Sequence, residues 1–233
     1  MVQVKKEEVR QAILTAAWQL FSRQTYQRTT LSQIARKAGV SSANLYVYFD
    51  SKLDILYAVY EPWMRARLLR VEKQLENVDR PFERLRLLLR ALWKEIPAEE
   101  NGFLNNIIQA LSTASKGEQY NSALLEWMEQ RIGDMLLLAL PPSRRRIVDK
   151  SRIAHVLIMA LDGYSIHKHV NSRGDADDAT IDMIAKLLLG LARIDRVGGG
   201  DFPHRLVTRP TDAEQTGSAR ELAAKSRSPF CRG

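Results

Sequence analysis

The sequence lacks the usual marks of a catalyst. It holds no glycine-rich phosphate loop, no H-E-x-x-H, no G-x-S-x-G elbow and no paired-cysteine metal cluster. Its single cysteine, Cys231, excludes an internal disulfide and asks for no oxidising compartment. The opening run MVQVKKEEVR is charged and has no apolar signal core. No stretch approaches the roughly 20 uncharged apolar residues of a membrane span. A cytoplasmic, soluble protein with no membrane partner is therefore expected. Strand patterning and internal repeats are missing too, so the reading is all-α.

What is present starts with charge. The chain of 233 residues is 45% hydrophobic, enough for a substantial core, with a net charge of +8. Residues 1–50 carry seven Lys/Arg against three acids, whereas residues 51–194 carry 21 against 19. The positive field is densest on the N-terminal fifth, as a phosphate-binding segment requires, although a solvated basic surface gives the same bias.

That segment contains the stretch around which the rest is organised, TTLSQIARKAGVSSANLYVYFDSK, residues 29–52. Thr30 with Gln33 makes a capping box for a short helix bearing Leu31, Ile34, Ala35 and Ala38. Gly39 supplies a left-handed turn. Ser41 caps a second helix whose Leu45 and Phe49 face back toward the first. Two short helices joined by a tight glycine turn have the shape of a DNA-binding helix-turn-helix.

Thr30, Ile34, Ala35, Ala38, Gly39, Val40, Ser41, Leu45, Tyr46, Tyr48, Phe49, Ser51 and Lys52 fall without a gap on T-x-x-x-I-A-x-x-A-G-V-S-x-x-x-L-Y-x-Y-F-x-S-K. The run thus resembles the N-terminal domain of the TetR family of one-component repressors. Two positions depart: Thr25 stands where family members usually have Gly, and Asp50 where they often have Pro. The resemblance implies that Ser42, Ala43 and Tyr46 touch base edges. It implies that Asn44, Tyr48, Lys52 and the Thr30 cap grip phosphate, with Arg28, Lys37, Lys5 and Lys6 adding neutralisation. Tyr46 and Tyr48 could instead be packed tyrosines. No Arg or Lys lies between Val40 and Ser51, so the strong bidentate guanine contact is missing from the helix itself. Modest affinity per head, and a need for two heads on one site, follow.

Along the chain, residues 5–24 read as a first helix with Val9, Ile13, Ala16, Ala17, Leu20 and Phe21 on one stripe, and with Trp18 expected in the core. A long helix capped by Asp50 or Ser51 runs to about Asn77 and is bent at Pro62. Helices follow over 81–96, 103–115, 122–140, 145–170 and 176–193, about nine in all. The expected organisation is a helix-turn-helix domain over 1–50, a helical effector-binding and dimerisation domain over 51–196, and a disordered tail over 197–233. Arg144, Arg145 and Arg146 read as a solvated basic run.

The last two helices carry wide apolar stripes, including Val156, Leu157, Leu161, Ile184 and Leu188. In the TetR family these helices pair across a two-fold axis, and MALDGYSIH, residues 159–167, resembles a run found there. A homodimer on a palindromic operator is implied, its heads one DNA turn of about 34–36 Å apart or a multiple. The family also keeps an inducer cavity in the body. Trp63, Trp93, Phe103, Ile107, Trp127, Met128, Met159 and Tyr164 are the aromatic and soft residues available to line one, or simply to fill the core. They suit an apolar or aromatic small molecule; no fixed cofactor is expected. His155, Asp162 and His169 recur every seven residues, about 10.5 Å apart along a helix, too far for one ion within one chain. They read as a polar stripe in preference to a metal site.

The function expected is a ligand-responsive transcriptional regulator, most simply a repressor bound to operator DNA and released by an inducer. Two alternatives stay open: a DNA-binding or nucleoid-type protein with no effector, and an all-α enzyme or carrier with a degenerate head.

Overall fold

The computed structural model describes residues 2–99, 102–114, 122–171 and 174–190, with side chains from residue 6 onward. The expected tail, 197–233, lies outside them. The described residues hold ten helices and no strand: α1 (Val2–Arg23), α2 (Leu31–Ala38), α3 (Ser42–Tyr46), α4 (Lys52–Glu76), α5 (Pro81–Arg90), α6 (Phe103–Thr113), α7 (Ala123–Ala139), α8 (Pro142–Arg145), α9 (Lys150–Val170) and α10 (Asp178–Leu189). Among them, no helix is long and apolar enough to cross a membrane.

The three-helix head forms because each short helix has one apolar stripe that it cannot bury alone. Ile13, Ala17 and Phe21 of α1 close over Ile34 and Ala35 of α2, Leu45 of α3 and Phe49. Helix α4 follows from the Ser51 cap, whose hydroxyl accepts from the Asp54 N–H. It runs unbroken through Pro62, which lies on the exposed side, so the missing N–H costs an outward-facing bond only. Leu53, Leu56, Tyr60, Met64, Leu68 and Leu75 then carry the core from the head into the body.

In the body, α9 packs on α7 and α10 on α5. Helix α5 continues as a π-helical turn, Ala91–Glu95, closed by the Ile96 N–H on the Ala91 carbonyl. That turn presents Trp93, whose indole N–H donates to the Leu157 carbonyl of α9 at 3.1 Å. The Trp93 carbonyl accepts from the Ala176 N–H ahead of α10. The extra residue in the turn thus keys α5 to both late helices.

The helix expected over 145–170 begins only at Lys150, and a separate short helix precedes it. Pro142 starts the short α8, and Asp149 caps a fresh start at Lys150 by accepting from the Arg152 N–H. Nor is the arginine run simply solvated. Arg144 donates to the Leu189 carbonyl at the C-terminus of α10, and Arg145 to the Leu140 carbonyl at the end of α7. Both put positive charge on a helix end that favours it. Gly190, at φ 69°, terminates α10 in the left-handed region, and a Cβ there would collide with the Arg144 guanidinium.

Candidate nucleic-acid interface and cavity

The reading head is built from caps. The Thr30 side chain accepts from the Gln33 N–H at 3.2 Å while Gln33 Oε1 accepts from the Thr30 N–H at 2.9 Å. Gly39, at φ 71°, ends α2, and the Val40 N–H reaches back to the Ala35 carbonyl. The Ser41 hydroxyl accepts from the Asn44 N–H and starts α3. With Leu45 and Phe49 anchored inside, the opposite side of α3 is forced outward. Ser41, Ser42, Ala43 and Tyr46 are exposed, Tyr46 at 55%, and Asn44 and Tyr48 are half-buried beside them. Arg28 and Thr30 are exposed at the neighbouring turn.

Lys52 is placed differently from its neighbours. Its ammonium donates to the Tyr26 and Thr29 carbonyls at 2.9 and 3.0 Å and sits 3.9 Å from the centre of the Tyr26 ring. Burial lowers its pKa. Two of its three donors hold the α1–α2 turn, which leaves one for a phosphate. The same turn, with Thr25 in place of the family's Gly, closes through the Thr25 carbonyl, which accepts from the Thr29 N–H and hydroxyl.

In the body, a cavity of about 150 Å³ lies among α4, α6, α7 and α9. Tyr57 and Tyr60 of α4, Ile107 and Leu111 of α6, Leu124, Leu125 and Met128 of α7, and Ile158, Met159 and Asp162 of α9 line it. Ile107, Met128 and Met159 were expected there. The other aromatics are engaged elsewhere. The Trp63 indole donates to Glu99 at 3.2 Å, and the Phe103 ring lies 4.4 Å from Trp18 and 5.8 Å from Trp63. Trp127 has Arg65 over its ring at 4.2 Å, and Tyr164 lies 5.7 Å from Trp93. Trp18, expected in the core, is 39% exposed. Together with Leu14, Ala58, Pro62 and Trp63 it lines an open groove between α1 and α4.

The model described as "Bacterial regulatory proteins, tetR family" matches residues 13–59, which span α1 to the first turns of α4. The HTH-type transcriptional regulator HbdR of Aromatoleum sp. (strain CIB) is 40% identical over 87 residues, 37% of this chain and 37% of its own. The HTH-type transcriptional regulator SrpR of Pseudomonas putida is 49% identical over 53 residues, 23% of this chain and 25% of its own. Residues 13–59 belong to the TetR family. The matches span little more than a third of these curated relatives or less. The all-helical body has its fold likeness in FadR of Bacillus subtilis, solved in complex with stearoyl-CoA. At 19% identity and a TM-score of 0.51, the match covers 79% of this chain and all of that one.

The apolar stripes on the late helices divide in two. Leu157 and Leu161, expected at a dimer interface, are buried within the chain itself. Val156, at 62% exposure, Met159, Ile166 and Val170 on α9 and Met183 and Leu187 on α10 are the exposed members; Ile184 and Leu188 are half-buried. The His155/Asp162/His169 stripe also separates. His155 pairs with Glu129 at 2.7 Å, Asp162 lines the cavity, and His169 borders the surface beside Gly102 and Asn105. Sequence reasoning missed Tyr57 and Tyr60, although their spacing of three on one helix was the available signal. It also missed Asn106, a buried polar residue inside an apolar helix, which carried no signal of its own.

Proposed function

We propose that the chain is a ligand-responsive transcriptional repressor that binds a palindromic operator as a homodimer and is released by a small-molecule inducer. Residues 1–50 act as the reading head and 51–196 as the effector-binding and dimerising body. The observation that carries this reading is the outward face of α3, where Ser42, Ala43 and Tyr46 stand clear of a head whose core is closed by Ile34, Leu45 and Phe49. A small-residue N-terminus lets the helix enter a major groove closely, with hydroxyl and methyl groups for base edges. Asn44, Tyr48, Arg28, Thr30 and the remaining donor of Lys52 take the phosphates.

The exposed apolar face of α9 and α10 supports a dimer, because a row of six large apolar side chains is costly to leave in water. The cavity supports the effector role, and FadR of Bacillus subtilis, similar in fold, was solved in complex with stearoyl-CoA. A space of about 150 Å³ suits a ligand near the size of benzene, or one end of a longer molecule. Tyr60, Trp63, Phe103 and Trp18 lie ring to ring at 5.6, 5.8 and 4.4 Å between the cavity and α1. An occupant that displaces Tyr60 or Ile107 shifts the population toward a head spacing that no longer fits two half-sites.

The test is a mobility-shift titration of purified protein against duplexes tiled across its own promoter region, at several salt concentrations. Saturable binding to one duplex, steeply weakened by salt and far tighter than to random DNA, is expected. Failure to retard any duplex at low ionic strength would overturn the reading.

A further inference from the structure

The cavity among α4, α6, α7 and α9 is lined by apolar side chains, two tyrosines and a single carboxyl group. Every lining residue from α6 and α7 is uncharged, and α4 contributes Tyr57 and Tyr60. Helix α9 adds the Asp162 carboxyl to Ile158 and Met159. Among the described residues no side chain or backbone N–H donates to that carboxyl, although the chain is rich in arginine. An ionised carboxylate facing apolar walls is costly unless a partner of opposite sign arrives.

We propose that the cavity selects a small organic cation, an amine or quaternary ammonium on an apolar or aromatic body, with the Asp162 carboxylate as counter-charge and the two tyrosines as aromatic walls. The inference rests on the reading of this cavity as the effector site and adds the class of effector. A neutral ligand would leave the carboxylate unpaired. A carboxylate ligand would place like charges together. An organic cation meets the charge, and its apolar groups fill a space that water solvates poorly; aromatic rings add attraction where solvent is excluded.

Protonation decides between this and the opposite arrangement, in which a neutral acid donates to a ligand carbonyl. Burial pushes Asp162 up to about 6. At pH 7.5 the ionised form therefore dominates by about thirtyfold. The neighbouring Tyr60 phenol is pushed up by its own burial first and by the charge of Asp162 second, so it stays neutral and supplies no competing charge.

Equilibrium dialysis of the full chain against phenyltrimethylammonium and its uncharged carbon isostere, tert-butylbenzene, tests the proposal. At pH 7.5 the wild type is expected to bind the cation about tenfold more tightly than the isostere. Cation affinity should fall as pH is lowered through about 6, while isostere affinity should not fall. Asp162→Asn should abolish both the preference and the pH dependence; retained isostere binding shows that the variant is folded. Equal affinity for the two compounds, or cation binding that strengthens on acidification, overturns the proposal and leaves an apolar effector cavity standing. Binding of neither compound by protein that still retards its operator removes the cavity reading, and the cation proposal with it.

Discussion

The side chain of Asn106 in α6 donates from Nδ2 to the Phe21 carbonyl at 2.8 Å and accepts the Tyr26 N–H on Oδ1 at 2.7 Å. It is 2% exposed. One amide thus satisfies two backbone groups that the end of α1 leaves open, and it does so from the helix whose next residue, Ile107, lines the cavity. Head and body share this joint as well as the continuous α4.

Asn106→Ala should therefore cost more than a surface change. Each abandoned buried backbone group is worth about 1–3 kcal/mol, so a loss of about 2–4 kcal/mol in urea denaturation is expected. Asn106→Asp should do no better, since it turns a second acceptor on the Phe21 carbonyl. Either variant with wild-type stability would show that the joint carries no energy.

Lys52 tests a second link in the head. Lys52→Met keeps the stem packed over Tyr26 but removes the donors to the Tyr26 and Thr29 carbonyls. The expected result is a loss of about 1–2 kcal/mol of stability, together with weaker binding to operator and random duplexes alike. Binding-site selection that reports one altered base position would contradict the assignment to turn and phosphate.

The head was legible in the sequence because its signals are local. Thr30, Gln33, Gly39 and Ser41 act within four residues of their partners, and each sits in the cap that its chemistry dictates. The body was legible in helices but not in contacts. Aromatic residues such as Trp93 and Trp127 suit a cavity wall and a packed joint equally well. The choice depends on long-range partners, the Leu157 carbonyl in one case and Arg65 in the other. Leu157 and Leu161 show the same limit. The α9 stripe is wide enough to serve two surfaces, and only the placement of α7 decides which edge faces inward.

Asp162 gives a pH signature. Its folded-state pKa, about 6, lies above its ordinary value of 3.8, so the ligand-free protein binds a proton more readily than the unfolded chain does. That contribution to stability is fully present below about pH 4 and is lost as pH rises through about 6. The shift corresponds to about 3 kcal/mol as an upper bound. Asp162→Asn should raise urea-denaturation stability at pH 7.5 by about 1–3 kcal/mol and flatten the profile between pH 4 and 6. A variant less stable than wild type at pH 7.5 would show that the ionised carboxylate has a partner.

Substitutions at Ser42 and Tyr48 test the proposed division between reading and gripping. Ser42 stands on the exposed face of α3, whereas Tyr48 is half-buried at its end. Ser42→Ala should change which bases are selected at one position of each half-site, by about 1 kcal/mol of discrimination. Tyr48→Phe removes a single hydroxyl from the phosphate side and should weaken all duplexes by a similar factor. Identical selection profiles for the wild type and Ser42→Ala would place the base contacts elsewhere.

The proposed intersubunit face can be tested with a matched pair of substitutions on one helix. Val156 and Leu161 both belong to the apolar stripes of α9, yet Val156 is 62% exposed and Leu161 is fully buried. Val156→Arg sets a charge on the outer surface and should leave the thermal midpoint of an isolated subunit almost unchanged, because an exposed position tolerates it. If that surface meets a second copy, two buried guanidinium groups then face each other across the two-fold axis, and sedimentation should report monomers. Operator binding should fall steeply, since each head alone lacks a bidentate guanine contact. Leu161→Arg places the same charge in the subunit core and should unfold the protein. A dimeric Val156→Arg would exclude this face of α9 from the interface and shift attention to the Met183 and Leu187 face of α10.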